Sequence, residues 1–175
     1  RGFYSNLKAD ILIDLKTIKN KILQKENFYF IAIILVTFFL DRFTKNLILN
    51  DLSESSYYVN DFLNFDLIWN TGIGFGLFSS SSNIFYGLIS FLIGLIILFI
   101  FYLIFISKFY DKIFYSIITG GALGNFYDRI IYNAVPDFID IHYKNIHWFT
   151  FNFADIFITV GIILMLLKGL FIKDV

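Results

Sequence analysis

Apolar residues run through this chain in four long blocks, and polar and aromatic residues mix in two of the three stretches between them. The first block is unbroken from Phe28 to Leu40, about 20 Å of helix at 1.5 Å per residue. A bilayer core of roughly 30 Å needs more, so the predicted helix continues to about Leu49 and carries Asp41, Arg42 and Lys45 with it. The other blocks predict helices near 84–106, 113–130 and 153–171. Residues 51–79 alternate as YYVNDFLNFDLIWN before NTGIGFG, which predicts a short strand-like element closing in a glycine-rich turn. Residues 131–151, rich in Tyr, Trp and Phe, predict an interfacial element along the membrane surface. Upstream, Leu7, Ile11, Leu15, Ile18 and Ile22 recur at helical spacing with Lys8, Lys16, Lys19, Lys21 and Lys25 between them. Residues 1–27 are therefore expected to hold a basic amphipathic helix on an anionic membrane face. The expected fold class is an all-α membrane protein of four transmembrane helices, with a small extracytoplasmic β-like element and a cytoplasmic amphipathic helix. Residues 28–175 would form its single domain.

Composition strengthens the membrane reading. Of 175 residues, 58% are hydrophobic and 16% charged, against roughly 45–50% and about 25% in soluble domains. The chain has no cysteine, which removes disulfides, thiolate catalysis and cysteine-ligated metals. The first 27 residues lack the apolar core of a cleavable signal. Formal charge is zero, yet it is unevenly spread. Arg1, the five lysines above, Lys108, Lys112, Lys168 and Lys173 fall on one predicted side, and Arg42, Lys45, Arg129 and Lys144 on the other. By the positive-inside rule both termini are expected in the cytoplasm, so the unusual polar residues gather at the outer ends of the helices.

Elimination narrows the chemistry. There is no HExxH or GxSxG motif, and GIGFG lacks the frame of a phosphate loop. Ionisable residues beside long apolar helices remain, and these are expensive there, roughly 2.5–3.5 kcal/mol at mid-bilayer. Asp155 opens the last helix three residues after Asn152, on the same face. Asp137 follows Pro136, the only proline, in a turn of restricted backbone. Two close carboxylates cannot both ionise cheaply, so they share a proton and can serve as acid and base. Plainer readings stand beside this one. Asp155 also suits a helix-dipole anion, and Asp137 and Asp140 also suit ordinary loop acids. Asp128 and Arg129 read as support, with Arg129 either holding a substrate carbonyl or pairing with Asp128, and Asp41 and Lys45, four apart, read as an intrahelical ion pair. Gly120 and Gly124 form a small-xxx-small contact surface. His142 and His147 read as interfacial residues, with no metal or cofactor expected.

Five blocks, DRFTK (41–45), NTGIGFG (70–76), GGALGNFYDR (120–129), AVPDF (134–138) and FNFADIFITVG (151–161), together resemble lipoprotein signal peptidase, the bacterial membrane aspartic protease family called signal peptidase II. That resemblance implies a catalytic dyad of Asp137 and Asp155. It implies substrate-pocket or support roles for Asn70, Gly120, Asn125, Arg129, Asn152 and Ala154, and structural roles for Asp41, Lys45 and Asp128. The implied substrate is a prolipoprotein bearing diacylglycerol on a cysteine, cut just before that residue in the bacterial inner membrane. A metal-free monomer inhibited by globomycin-type molecules is implied as well. Arg42, Gly74, Ala134 and Pro136 depart from the usual pattern, where Gln, Ala, Gly and Val are common. A non-catalytic membrane protein that binds lipoprotein or lipid is the competing reading. A small transporter is disfavoured, because the predicted second and fourth helices hold almost no polar residues in their cytoplasmic halves.

Overall fold

A computed structural model describes residues 24–51, 56–72, 83–144 and 146–171. The expected amphipathic helix lies mostly outside them, as do residues 73–76 of the glycine-rich turn.

Four helices and four strands follow in chain order: α1 (Asn27–Asp51), β1 (Tyr57–Asn60), β2 (Leu63–Asn70), α2 (Asn83–Ile106), α3 (Phe109–Tyr132), β3 (Val135–Tyr143), β4 (Ile146–Phe151) and α4 (Phe153–Phe171). The strands form one antiparallel sheet in the order β1-β2-β3-β4. This corrects the expected all-α class with four transmembrane helices. Among the described residues, only Tyr86–Ile106 in α2 and Phe153–Phe171 in α4 are long and apolar enough to cross a membrane. Helix α1 carries Asp41, Arg42 and Lys45, and α3 carries Asp111, Lys112, Asp128 and Arg129. Those charges are what separate these two helices from α2 and α4.

The second correction is residues 131–151, expected as one interfacial element and found as strands β3 and β4. Strand β3 reads VPDFIDIHY and is buried from Val135 to Asp140 without alternation. A strand covered on both faces shows no period-2 pattern, so its aromatic and β-branched residues were the remaining signal.

Helix α3 is central and packs against the other three helices. Its glycines allow this. A Cβ on Gly120 would meet the Ile34 carbonyl oxygen of α1 at 2.7 Å, and one on Gly121 the Ala154 oxygen of α4 at 2.6 Å. A Cβ on Gly124 would strike the Asp41 carboxylate. At one end, Lys168 of α4 pairs with Asp111 of α3 at 2.8 Å, and Phe30, Ile34 and Ile104 form a buried cluster. At the other, Asn133 takes a left-handed conformation (φ 53°) that ends α3 and turns the chain into β3.

Candidate active site

Four elements meet where α3 ends and α4 begins. Asn152 stands before the first turn of α4. Its side-chain oxygen accepts from the Asp155 amide, and its own amide donates to Asp155 Oδ2, both at 3.1 Å. This reciprocal pair is a capping box, which satisfies amides that the helix leaves open and suits an anion at the helix N-terminus. The remaining donor of Asn152, Nδ2, reaches Asp137 Oδ1 at 2.6 Å. One asparagine thus holds both aspartates.

Each carboxylate has a second support. Antiparallel pairing of β2 with β3 sets Ile68 opposite Asp137 and Asn70 opposite Val135. From there Asn70 Nδ2 donates to Asp137 Oδ2 at 2.8 Å, while Asn70 Oδ1 accepts the Gly72 amide at 2.8 Å. Asn125 of α3 donates to Asp155 Oδ1 at 2.8 Å and accepts from Lys45 Nζ at 2.8 Å. Burial is the main force raising the Asp137 carboxyl to about 7, and the charge of Asp155 adds to it against the hydrogen bonds of Asn70 and Asn152.

A buried four-charge cluster lies behind the pair. Lys45 bridges Asp41 at 3.0 Å and Asp128 at 2.7 Å, and all three side chains are inaccessible. Arg42 grips Asp128 through both terminal nitrogens, at 2.6 and 2.9 Å, and reaches Asp41 at 3.1 Å. Asp128 is thus held by α1 residues, and of the two readings of Arg129 the one that paired it with Asp128 is not the arrangement found. Successive helical residues point in different directions, and that decides the pairing. Asp41 also accepts the Ala154 amide at 3.0 Å, tying the cluster to the first turn of α4. Arg129 instead donates to the backbone oxygens of Asn125 and Gly72, each at 3.1 Å.

The site therefore gathers Asn70, Asn125, Asn152, Ala154, Asp137 and Asp155, with Asp41, Lys45 and Asp128 beneath and Gly120 lining the α1–α3 crossing. Sequence reasoning gave Arg42 no role, although its charge beside Asp41 on a largely apolar helix was the available signal. An apolar cavity of about 280 Å³, lined by Phe149, Phe151, Ile156, Thr159 and Val160, reaches Asp155. Chemically, this is one buried and one half-buried acid fixed by amides, with a Lys and Arg network behind and a greasy groove alongside.

Comparison with known proteins gives a consistent result. The family model described as Signal peptidase (SPase) II matches residues 33–171. A lipoprotein signal peptidase of Pelagibacter ubique (strain HTCC1062) is 48% identical over 159 residues, covering 89% of this chain and 95% of its own. Another, from Wigglesworthia glossinidia brevipalpis, is 42% identical over 145 residues, 81% of this chain and 95% of that one. A solved bacterial membrane enzyme structure superposes with a TM-score of 0.66 at 29% identity, over 84% of this chain and 94% of that one.

Proposed function

The chain belongs to the signal peptidase II family, and from that premise we propose that it removes signal peptides from prolipoproteins by joint action of Asp137 and Asp155. The observation that carries the reading is Asn152, whose side chain and backbone hold one carboxylate each, with Asp155 lining an apolar groove. Hydrolysis of an amide needs a base to take a proton from water and an acid to protonate the leaving amine. A carboxyl near 7, as at Asp137, beside a second carboxyl lets one proton be shared at neutral pH. The ionised member draws a proton from water as its oxygen attacks the scissile carbonyl. The protonated member stabilises the carbonyl oxygen, and a proton then passes to the departing nitrogen. Asn70, Asn125 and Asn152 keep both carboxyl groups oriented through this exchange.

The groove favours a substrate that brings hydrocarbon next to its scissile bond, as a diacylglyceryl cysteine does. Cleavage just before that cysteine is compatible with such docking, and globomycin-type peptides would occupy the same space. The active site would face the outer leaflet of the inner membrane, with both termini cytoplasmic. If the two helices that are long and apolar enough to cross do so, they return the chain to the side from which it started.

The test is a gel-shift assay with lipidated prolipoprotein, using wild type beside Asp137→Asn and Asp155→Asn. Both variants are expected to stay folded, as read by thermal unfolding in detergent, and to yield no product. Normal processing by either folded variant rejects the dyad. Lipopeptide binding by wild type without cleavage on prolonged incubation would support the non-catalytic reading instead.

A further inference from the structure

The β3–β4 hairpin carries a second polar cluster that the proposed hydrolysis does not use. Strand pairing sets His142 directly opposite His147, and Asp140 lies two residues before His142 on β3. Residues i and i+2 of a strand share a face, so all three side chains converge. The imidazoles stack with centroids 5.3 Å apart. Both Nδ1 atoms approach one atom, Asp140 Oδ2, at 2.7 Å from His147 and 3.3 Å from His142. One donor atom from each residue fits within a 4.8 Å span.

The cluster is largely withdrawn from solvent, and two of its donor atoms have no hydrogen-bond partner. Asp140 is 2% exposed and His142 5% exposed. Asp140 Oδ1 and His142 Nδ1 make no hydrogen bond. Among the described residues, no Lys or Arg pairs with Asp140. A buried carboxylate ordinarily has a countercharge or coordinates a metal. Among the described residues the only basic groups that reach Asp140 are the two imidazoles, and His147 Nδ1 hydrogen-bonds Asp140 Oδ2 at 2.7 Å.

We propose that Asp140, His142 and His147 bind one divalent transition-metal ion of the zinc type. Two nitrogens and one carboxylate oxygen form a donor set that suits Zn²⁺ and Co²⁺. Tetrahedral bonds of ~2.0–2.2 Å separate ligand atoms by roughly 3.4 Å, so small side-chain rotations convert the present cluster into a coordination shell. The fourth position would be filled by water from the adjacent cavity of about 320 Å³, which His142 lines with Tyr58, Asp61, Tyr143 and Lys144. The ion would pin the two strands together beyond the Lys144 turn, on the strand that presents Asp137 three residues upstream. Sequence spacing concealed this site, because a five-residue separation matches neither helical nor strand ligand spacing until the hairpin register is known.

The experiment uses the full chain in detergent, stripped with chelator and titrated with Co²⁺ alone. Wild type is expected to bind one Co²⁺ with the visible absorption of a four-coordinate site and to melt higher with Zn²⁺. His147 is mostly exposed, so His147→Ala should fold normally and lose both effects, with affinity down at least tenfold. Because the chain has no cysteine, His147→Cys should add a thiolate-to-cobalt band that Co²⁺ can acquire only at residue 147. Asp155→Asn should bind Co²⁺ as wild type does. Equal Co²⁺ binding by wild type and His147→Ala, no band in His147→Cys, or loss of binding in Asp155→Asn would each overturn the proposal.

Discussion

Asn152 is the residue on which the two acids depend together, since it contributes a donor to each and also caps the helix that carries Asp155. Asn152→Ala removes the bond to Asp137 and half of the capping box, so helix stability should fall by about 1 kcal/mol. Cleavage should fall much further, roughly 100-fold, because positioned acid–base catalysis typically contributes 10²–10⁴-fold. Measuring unfolding and turnover on one preparation separates the two effects, and parallel small losses in both would contradict the positioning role. Asp137 also sets a pH limit. Its ordinary value is 3.8 and burial raises it to about 7, so the folded chain holds a proton between those values that the unfolded chain has released. Stability from this proton is therefore present at low pH and is lost as pH rises through 7. On the proposed mechanism this proton is the one available to the leaving amine, so turnover should decline about tenfold per pH unit above 7. A pH–rate profile flat from 6 to 9 would refute this. Asn70→Ala removes a donor that favours the anion, and should move the alkaline limb upward. Both aspartates were visible in the sequence as acids beside apolar runs and as part of a family resemblance. Their shared asparagine was visible only in half, since the three-residue spacing to Asp155 is local but the bond to Asp137 depends on where β3 lies.

At the scale of elements, the helices were legible because long apolar runs leave few alternatives, and β1 and β2 through their alternation, whereas β3 and β4 were not. The hairpin residues 57–70 did show alternation, whereas β3 is covered on both faces and hides its period. Register was hidden as well, which is why Asn70 and Asp137, 67 residues apart, could be joined only by the β2–β3 pairing. The glycines of α3 were read correctly as a contact surface, but the sequence did not say which one meets which helix. Gly121 faces α4, where an added Cβ would lie 2.6 Å from the Ala154 carbonyl oxygen. That atom is backbone and cannot rotate away, so Gly121→Ala must push the first turn of α4 outward. The variant is expected to lose about 1–3 kcal/mol, the usual cost of overpacking. It should also lengthen the Asn125–Asp155 contact and reduce turnover at temperatures where it remains folded. Denaturant unfolding beside a cleavage assay tests both parts, and a Gly121→Ala protein of wild-type stability would show that the two helices part freely.

For the whole molecule, the four buried charges of Asp41, Arg42, Lys45 and Asp128 link the helix packing to the chemistry. They sum to zero charge, which is how four ionised groups can occupy one desolvated site. Lys45 continues outward through Asn125 to Asp155, and Asp41 reaches the same helix turn through the Ala154 amide. Lys45→Met leaves two buried carboxylates facing a single guanidinium, and breaking such a pair typically costs about 3–5 kcal/mol. Replacing both partners with apolar groups removes the stranded charge, so Lys45→Met with Asp128→Leu should be less damaging than the sum of the two single changes. A double-mutant cycle on unfolding free energy measures this directly, with a coupling of roughly 1–3 kcal/mol expected for residues in contact. Turnover should not recover with stability, because the double variant still lacks the ammonium that anchors Asn125. Strict additivity would mean that the cluster is four independent contacts. Restored turnover in the double variant would mean that Asp155 is positioned without it.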